Sequence, residues 1–203
     1  AMPPVLTGTQ CAYCPTQNHV EEYGMRDGKA FDPQNPYANR DYRFYANVLY
    51  DGTTFRDSVM ELHYIIDKKG KEVAQSGLTK YGTGRSNGFT RTGYYMRKFL
   101  DPKTTFPYKD NEGSKQNYPI WRYAELLLDY AEAAFRTGDT KTALEKVNQV
   151  RQRVHMHPLS DITLEQIQNE RRVEMAFEET IYWDKLRLGT AVKDLNGSTN
   201  PLR

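Results

Sequence analysis

The feature that most constrains this chain is a pair of amphipathic helical patterns separated by a very short turn. Apolar residues recur at helical spacing over residues 118–137, and Pro119 stands in the first turn, where its missing amide proton costs no hydrogen bond. Gly138-Asp139 ends this pattern, and a second one covers residues 140–154. Because the connection is so short, the two predicted helices should pack antiparallel.

Further helical signals follow this hairpin. Thr163-x-x-Gln166 is a capping box that predicts a third helix to about residue 179, and a shorter helical segment covers residues 181–188. The first two helices span about one tetratricopeptide unit of roughly 34 residues, and the sequence shows no second copy. Since such repeats bury their apolar faces against neighbours, a single unit predicts a fragment or a chain that packs on another subunit.

The remainder of the chain has a different composition. Residues 1–117 are rich in Gly, Pro, Asn, Asp and Tyr, which predicts a loop-rich subdomain with short helices and strands. The predicted fold class is therefore mainly α, with residues 118–192 as the helical part and residues 193–203 as a loose C-terminal tail. The short elements expected in the first part are a helix at 16–25, a strand or short helix at 43–50 and a strand at 62–66.

The balance of charge and apolarity argues against several classes of protein. The chain carries 28 basic and 26 acidic residues, a formal net charge of +2, whereas nucleic-acid-binding proteins normally show a basic excess. No apolar run approaches the ~20 residues that a membrane-spanning helix needs. Ala1-Met2-Pro3-Pro4 lacks the basic and apolar stretches of a signal peptide. We therefore expect either a protein that is not exported or a mature fragment whose leader lies elsewhere.

Two motifs could suggest a metal, redox or nucleotide site, and neither has the required context. Cys11 and Cys14 are the two cysteines of the chain, and a structural zinc site needs four ligands. A local disulfide or two free thiols is the favoured interpretation. Gly82, Gly84 and Gly88 miss the dinucleotide fingerprint by one residue, and no clear strand precedes them. We expect no metal and no cofactor.

The third predicted helix carries an unusual row of acids. Glu170, Glu174 and Glu178 are four residues apart, so they share one helix face. Cations should therefore lie opposite them, and we predict an interhelical ion network. Paired carboxylates also serve glycosidases, but acids held by arginines stay ionised and make poor general acids, so we predict no catalysis. The candidate partners are Arg122, Arg151 and Arg187.

Several segments together resemble the SusD/RagB family. The helix at 120–133, the following helix at 143–151, and the segments 170–178 and 182–189 are similar to the family's signatures and occur in its order. Family members are far longer, and the chain resembles their C-terminal portion. Upstream motifs that also fit are Pro15-Thr16-Gln17, Tyr23-Gly24-Met25, Asp27-Gly28-Lys29, Asn35-Pro36-Tyr37, Asn39-Arg40-Asp41 and Thr92-Gly93-Tyr94-Tyr95.

The resemblance implies a fold, a location and a partner. It implies a SusD-like fold with a tetratricopeptide-type hairpin, and a nutrient-binding lipoprotein on the outer face of the outer membrane. Contact with the membrane would be made only through a lipid anchor in an N-terminal portion absent from this chain. The implied partner is a TonB-dependent β-barrel transporter of the SusC type, and the implied ligand is an oligosaccharide or, in some members, a peptide. No nucleic-acid partner is implied.

Residues for sugar capture can be proposed from chemistry alone. Sugars bind to aromatic faces through their apolar side and to planar polar groups through their hydroxyls. Trp121 and Trp183 are expected to pack between helices instead. Non-catalytic glycan capture is the favoured function; the alternatives are peptide capture, a helical-repeat interaction module without small ligand, and a hydrolase. The candidates in predicted exposed loops are Tyr13, Asn18, Tyr81, Arg85 and Asn87.

Overall fold

The computed structural model describes residues 14–55, 58–62, 64–66, 68–75, 90, 92–103 and 116–195. Contacts divide the chain into two compact units. We call residues 1–17, 46–118 and 199–203 the strand unit, and residues 18–45 and 119–198 the helical unit. The grouping joins residues 18–45 to the helices, whereas the predicted domain limits after residues 117 and 192 stay a prediction.

The described elements confirm a mainly α fold with a few short strands. In chain order they are α1 (Gln17–Glu22), α2 (Tyr42–Asn47), β1 (Val48–Leu49), β2 (Thr54–Phe55), β3 (Ser58–Val59), β4 (Tyr64–Ile66), β5 (Glu72–Gln75), β6 (Tyr95–Met96), α3 (Tyr123–Arg136), α4 (Thr140–Arg153), α5 (Leu164–Glu174), α6 (Thr180–Arg187) and α7 (Ala191–Leu195).

The predicted helical hairpin is confirmed as α3 and α4. Asp139 accepts a hydrogen bond from the Thr142 amide at 3.0 Å and so caps α4. Gly138 makes the turn at a φ of +90°, a conformation that residues with a side chain rarely adopt. α3 begins later than predicted, because Arg122 keeps an extended backbone (φ −152°, ψ 159°). The helix therefore starts at Tyr123.

The third predicted helix is shorter than expected. Its capping box is present: the Gln166 backbone amide donates to the Thr163 hydroxyl, and the Thr163 backbone amide donates to the Gln166 side-chain oxygen. The helix ends at Glu174, because a turn with left-handed residues Phe177 (φ +66°) and Glu179 (φ +63°) interrupts it. The prediction that it continues to residue 179 is wrong, and Glu178 lies in the turn.

The helical unit is held together by a small apolar core. α3 and α4 contribute most of its buried side chains, and Leu128 is fully buried. Burying one such leucine stabilises a fold by about 1.5–3 kcal/mol, so the amphipathic patterns account for this packing. The core residues are Leu127, Leu128, Ala131, Ala134, Ala143, Val147, Val150 and Ile167.

The first residues of the predicted C-terminal tail are helical rather than loose. α7 covers Ala191–Leu195, so the first residues of the expected loose tail are helical. Lys185 on α6 donates a hydrogen bond to Asp194 on α7 at 2.8 Å. Gly189 adopts a φ of +70° between the two helices, a left-handed conformation that commonly ends a helix at glycine.

Among its described residues, the strand unit contains three antiparallel ladders of two strands each. β1 pairs with β6, β2 with β3, and β4 with β5. The segment at 43–50, where helix and strand were both open, contains both α2 and β1. The strand predicted at 62–66 is present as β4, Tyr64–Ile66. The buried residues of this unit's core are Leu49, Phe55, Met60, Leu62 and Tyr95.

Candidate functional site

The predicted ligand residues fall mostly outside the part of the chain that the structure describes. Tyr13, Tyr81, Arg85 and Asn87 all lie there. Asn18 is exposed, but it lies on helix α1, so its predicted position in a loop is wrong. The described residues therefore do not test whether the five lie together, and their role in ligand binding stays a prediction.

The described residues place a buried charged cluster in the helical unit. Its centre is Glu174, the last residue of α5, whose side chain is almost fully buried. Arg122 and Arg153 donate to its Oε1 at 2.5 and 2.6 Å, and Arg43 donates to its Oε2 at 2.9 Å. One carboxylate is thus shared by three guanidinium groups.

The other two predicted glutamates are paired in the same cluster. Glu170 accepts from Arg43 at 2.6 Å through Oε1 and from Arg151 at 2.8 Å through Oε2. Glu178 binds Arg122 through both oxygens, at 2.8 Å from Nε and 2.9 Å from Nη2. Such a two-point contact fixes geometry as well as charge. The turn that ends α5 is therefore fastened to the residue that precedes α3.

A fourth acid completes the cluster, which we call the junction. Asp41 accepts from Arg43 Nη2 at 2.6 Å, and both residues are buried. The junction then holds as many carboxylates as guanidinium groups, so its formal charges cancel. Its members are Asp41, Glu170, Glu174, Glu178, Arg43, Arg122, Arg151 and Arg153.

Burial and charge act in opposite directions on the junction. Burial raises the pKa of Glu174, but the hydrogen bond from Arg122 and the charges of Arg43, Arg122 and Arg153 outweigh it, so that its pKa is lowered. Burial likewise lowers the pKa of Arg43, and the charge of Glu170 and the contacts with Asp41 raise it further than burial lowers it. Glu174 and Arg43 are therefore both ionised at neutral pH. Glu174 therefore has no proton to donate as a general acid.

Arg187 does not join the junction, although the sequence made it a candidate. It binds Glu132 on α3 through both oxygens, at 2.7 and 2.9 Å, and contacts Asp184 at 3.2 Å. Two arginines of the junction were missed. Arg43 lies 131 residues from Glu174 in sequence, so no spacing rule links them. Arg153 lies on α4 beside the predicted Arg151, and it could have been found as a further cation on the same helix.

A second group of charges follows one side of α3, and we call it the α3 acid row: Glu125, Asp129 and Glu132. Arg171 reaches Asp129 at 2.7 Å and Glu125 at 3.2 Å. Hydrogen bonds from Arg187 and Arg136 lower the pKa of Glu132 to about 2. Burial raises the pKa of Asp129. The positive charge of Arg171 opposes this increase, and the negative charge of Asp184 adds to it, so that the pKa remains raised.

Carboxylates whose pKa values are pushed apart can mark an acid and a base of an active site. Asp129 and Glu132 have this property, but their surroundings do not suit catalysis. The Asp129 side chain is about half exposed and is held by Arg171 at 2.7 Å. Neither acid lines any of the three cavities described below. The pair is therefore best explained as part of an ion network on the surface of α3.

Three cavities border these charged groups. They measure about 80, 290 and 220 Å³. The two larger ones share Arg151, Asn169 and Glu170 in their linings. None of the three, all built from described residues, is lined by Tyr or Trp. The aromatic-lined concavity expected of a sugar binder is therefore not among them.

The exposed aromatic side chains of the helical unit lie elsewhere. Trp121 and Trp183 are each more than half exposed, so the prediction that they pack between helices is wrong for the described structure. Tyr182 and Trp183 meet edge to face with ring centroids 5.3 Å apart on α6. Tyr123 and Tyr130 on α3 are also mostly exposed. None of these side chains lines the three cavities.

Metal and thiol chemistry can be assessed for the described residues. They contain no group of three or more His, Cys, Asp or Glu side chains that could hold a metal ion. Cys14 is disulfide-bonded, which supports the disulfide over two free thiols; Cys11 lies outside the described residues. Among the helices that the structure describes, none combines the length and apolarity needed to cross a bilayer.

The chain is similar to known proteins over most of its length. A SusD-like carbohydrate-binding protein from Bacteroides fragilis, known from its crystal structure, is 30% identical with a TM-score of 0.72. A second SusD-like protein from the same species is 27% identical with a TM-score of 0.67. A SusD-like protein of Bacteroides ovatus is 37% identical over 87 residues.

These relatives are much longer than the chain. The two solved structures match 88% and 91% of this chain, but only 36% and 40% of their own length. The Bacteroides ovatus match covers 38% of the chain and 16% of that protein. The SusD family model matches residues 3–202. Since this match covers nearly the whole sequence and the solved relatives share the fold, the chain belongs to the SusD family.

Proposed function

We propose that the chain takes part in non-catalytic capture of oligosaccharides at the cell surface. Membership of the SusD family carries this proposal. It is supported by the Bacteroides fragilis relative of 30% identity, which is a SusD-like carbohydrate-binding protein. Peptide capture and a helical-repeat interaction module are the alternatives that a binding experiment has to separate from it.

The electrostatics of the described residues support binding without turnover. Hydrolysis of a glycosidic bond needs a protonated carboxylic acid at the leaving oxygen, beside a second carboxylate. The Glu174 carboxylate is buried under three arginines, and Asp129, whose pKa is raised, is held by Arg171 outside the described cavities. Neither arrangement provides an acid poised over a substrate.

We further propose a transporter partner and a location for the protein. The captured ligand would be passed to a TonB-dependent β-barrel transporter of the SusC type in the outer membrane. The protein would be held on the extracellular face by a lipid anchor carried on a portion that this chain does not cover. Both steps are what the resemblance to the SusD/RagB family implies, and they can be tested by co-purification with the transporter and by cell fractionation.

The ligand site is proposed to involve the predicted loop residues. Tyr81 would stack on the apolar face of a sugar ring, and Arg85 and Asn87 would bond its hydroxyls. Tyr13 would also stack on a sugar ring, and Asn18 would also bond sugar hydroxyls. The described cavities do not compete for this role, because Tyr and Trp are absent from their linings.

The test is calorimetric titration of the 203-residue chain with a panel of α- and β-linked oligosaccharides. The same samples are then analysed for products by chromatography. Bound and intact sugars would support capture, and cleaved sugars would overturn the non-catalytic assignment. No binding of any sugar would also contradict glycan capture, and a peptide panel would then separate peptide capture from a pure interaction module.

A pair of matched variants locates the site. Tyr81→Ala should weaken binding of the best sugar by roughly tenfold, since losing apolar contact worth about 1.4 kcal/mol between the aromatic face and the sugar ring lowers the affinity tenfold. Tyr182→Ala removes an exposed tyrosine of α6 and should leave the affinity unchanged. Equal loss in both variants, or loss only in Tyr182→Ala, would move the site away from the predicted loop.

A further inference from the structure

The two larger cavities of the helical unit adjoin each other at the junction. They measure about 290 and 220 Å³, and Arg151, Asn169 and Glu170 line both of them. Small-molecule sites in proteins usually measure ~300–1,000 Å³, so neither cavity alone has the size of such a site, whereas the pair does. We call the pair the junction cavities.

The side chains that the two cavities share keep unused hydrogen-bonding capacity. Each terminal nitrogen of Arg151 carries two N–H groups and, among the described residues, makes one hydrogen bond: Nη1 to Glu170 at 2.8 Å and Nη2 to the His157 carbonyl at 2.7 Å. Each carboxylate oxygen of Glu170 accepts one hydrogen bond there, although it can accept two. Asn169 makes two long contacts, both of 3.3 Å. These side chains can therefore donate and accept further hydrogen bonds.

The charges around the junction cavities are already paired within the protein. Arg151 is bonded to Glu170, and Glu22, which also lines the smaller cavity, is bonded to Arg172. A charged ligand would compete for these pairs, and removing one partner of a buried pair is costly. A neutral molecule can use the remaining donors and acceptors without breaking any pair. The cavities therefore favour a neutral polar ligand over an ion.

Beyond the shared residues, the two cavities have different walls. Thr163 and Gln166 line the larger one, and the side-chain amino group of Gln166 makes no hydrogen bond with the described residues. Met156 and Val173, which are both buried, line the smaller one. A sugar ring carries hydroxyls at its rim and C–H groups on its faces. It can therefore bond to the polar walls and pack its C–H groups on the methionine and the valine.

We propose that the junction cavities bind a neutral sugar residue through its hydroxyl groups, as a second site besides the loop residues proposed for stacking. The inference rests on the proposed function for the class of ligand, but not for the place of binding. Arg151 and Asn169 donate to hydroxyl oxygens, and Glu170 accepts a hydroxyl proton. Since no aromatic face contributes, a single sugar residue should bind with a Kd on the order of 1 mM.

The first test titrates the 203-residue chain with methyl α-glucoside, methyl α-mannoside and methyl β-galactoside. Binding is followed by NMR through the side-chain amide signals of Asn169 and Gln166. Glucuronic acid and glucosamine serve as charged counterparts of similar size. For at least one neutral glycoside we expect both signals to shift with one common Kd, and the charged sugars should bind about fivefold more weakly. Tighter binding of a charged sugar, or unshifted signals with all three glycosides, would overturn the proposal.

Two neighbouring substitutions on α5 locate the site, with the Gln166 signal as the readout. Asn169→Ala removes a side chain that lines both cavities and should weaken binding of the best glycoside about fivefold. Gln168→Ala, on the same helix but outside both linings, should leave the Kd unchanged. Equal Kd values in the parent and both variants, or a loss confined to Gln168→Ala, would contradict the proposed site.

A third variant keeps the test valid if Asn169→Ala lowers the Tm. Lys29 lines the smaller cavity and its side chain is 80% exposed, so the fold does not depend on it. Lys29→Ala should leave the Tm unchanged and raise the Kd about twofold. An unchanged Kd in this variant, together with a loss of affinity in Asn169→Ala that merely follows its loss of folded protein, would overturn the second site.

The result is separable from that of the proposed function. Oligosaccharides that bind in calorimetry without shifting the Asn169 and Gln166 signals would leave glycan capture standing and overturn the second site. Glycoside shifts at these two amides that persist in Tyr81→Ala would support the second site. An absence of binding by any sugar would overturn both proposals.

Discussion

The junction includes Glu170 and Glu174 on one face of α5, and the α3 acid row lies on one side of α3, yet the two groups of acids differ in their surroundings. At the junction, Glu174 is buried under three arginines drawn from separate parts of the chain. On α3, Asp129 is about half exposed and is contacted by Arg171. The spacing of acids along a helix shows which of them share a face. Their burial determines how many cationic side chains must surround them to neutralise their charge.

The largest effect is expected from Glu174→Gln. The change removes the carboxylate shared by the buried Arg43, the partly buried Arg122 and the largely exposed Arg153. Breaking the buried pair with Arg43 costs about 3–5 kcal/mol of unfolding free energy. The control is Glu165→Gln, at an exposed position in the first turn of α5, which should change little. Urea unfolding monitored by circular dichroism measures both. A stable Glu174→Gln variant would show that the junction does not hold the fold.

A smaller loss is expected from Glu132→Gln in the acid row. Its partners Arg187 and Arg136 are about half exposed, so water replaces much of the lost contact, and we expect about 1–2 kcal/mol at pH 7. Glu132 has a pKa lowered to about 2 from 4.5, so its stabilisation is present above pH 4.5 and is lost as the pH falls toward 2. The difference between variant and parent should vanish over that range in thermal melts. A difference that persists at pH 2 would contradict the ion-pair explanation.

Replacing Arg187 by lysine tests the geometry of the same contact. Lysine keeps the charge but cannot bind both oxygens of Glu132 as the guanidinium does. We expect a loss of about 0.5–1 kcal/mol. Arg136→Lys, at the single-bonded partner of Glu132, is the matched control and should cost less. Equal losses would mean that the two-point contact adds nothing.

The smallest effect is expected from Asp129→Asn. Burial raises the pKa of this acid, so its charged form is slightly disfavoured in the folded protein, and the penalty appears as the pH rises through the folded pKa. The variant should therefore be neutral or stabilised by up to about 0.5 kcal/mol at pH 7. Chemical unfolding at pH 7 and pH 3 measures this. A destabilised variant at pH 7 would place Asp129 with the junction rather than with the surface network.

The features that depend on residues close together in the sequence were predicted correctly. The capping box of Thr163 and Gln166 and the Gly138-Asp139 turn were confirmed because each is a contact over two or three residues. Arg43 was missed as a partner of Glu170 and Glu174 because these two acids lie 127 and 131 residues away. The end of α5 was misplaced because Phe177 and Glu179 adopt left-handed backbone angles that glycine or asparagine would have signalled.

The candidate site was less predictable than the fold. The sequence identified the three glutamates and Arg122 and Arg151, since like charges on one helix face require cations opposite. It could not show that Trp121 and Trp183 are exposed, because an amphipathic pattern gives the side of a helix but not what covers it. The proposed loop residues Tyr81 and Arg85 rest on chemistry alone.

The separation of Arg43 from Glu174 has a consequence for synthesis of the protein. Arg43 leaves the ribosome 131 residues before Glu174, which at about 5–20 residues per second is a delay of roughly 7–26 s. Until Glu170 is made, 127 residues after Arg43, Asp41 is the one acid of the junction that can partner Arg43. The segment around α2 therefore cannot adopt its final charge pairing on the nascent chain until α5 has been translated, and a product that stops before residue 170 would keep the cation while lacking the acids that neutralise it.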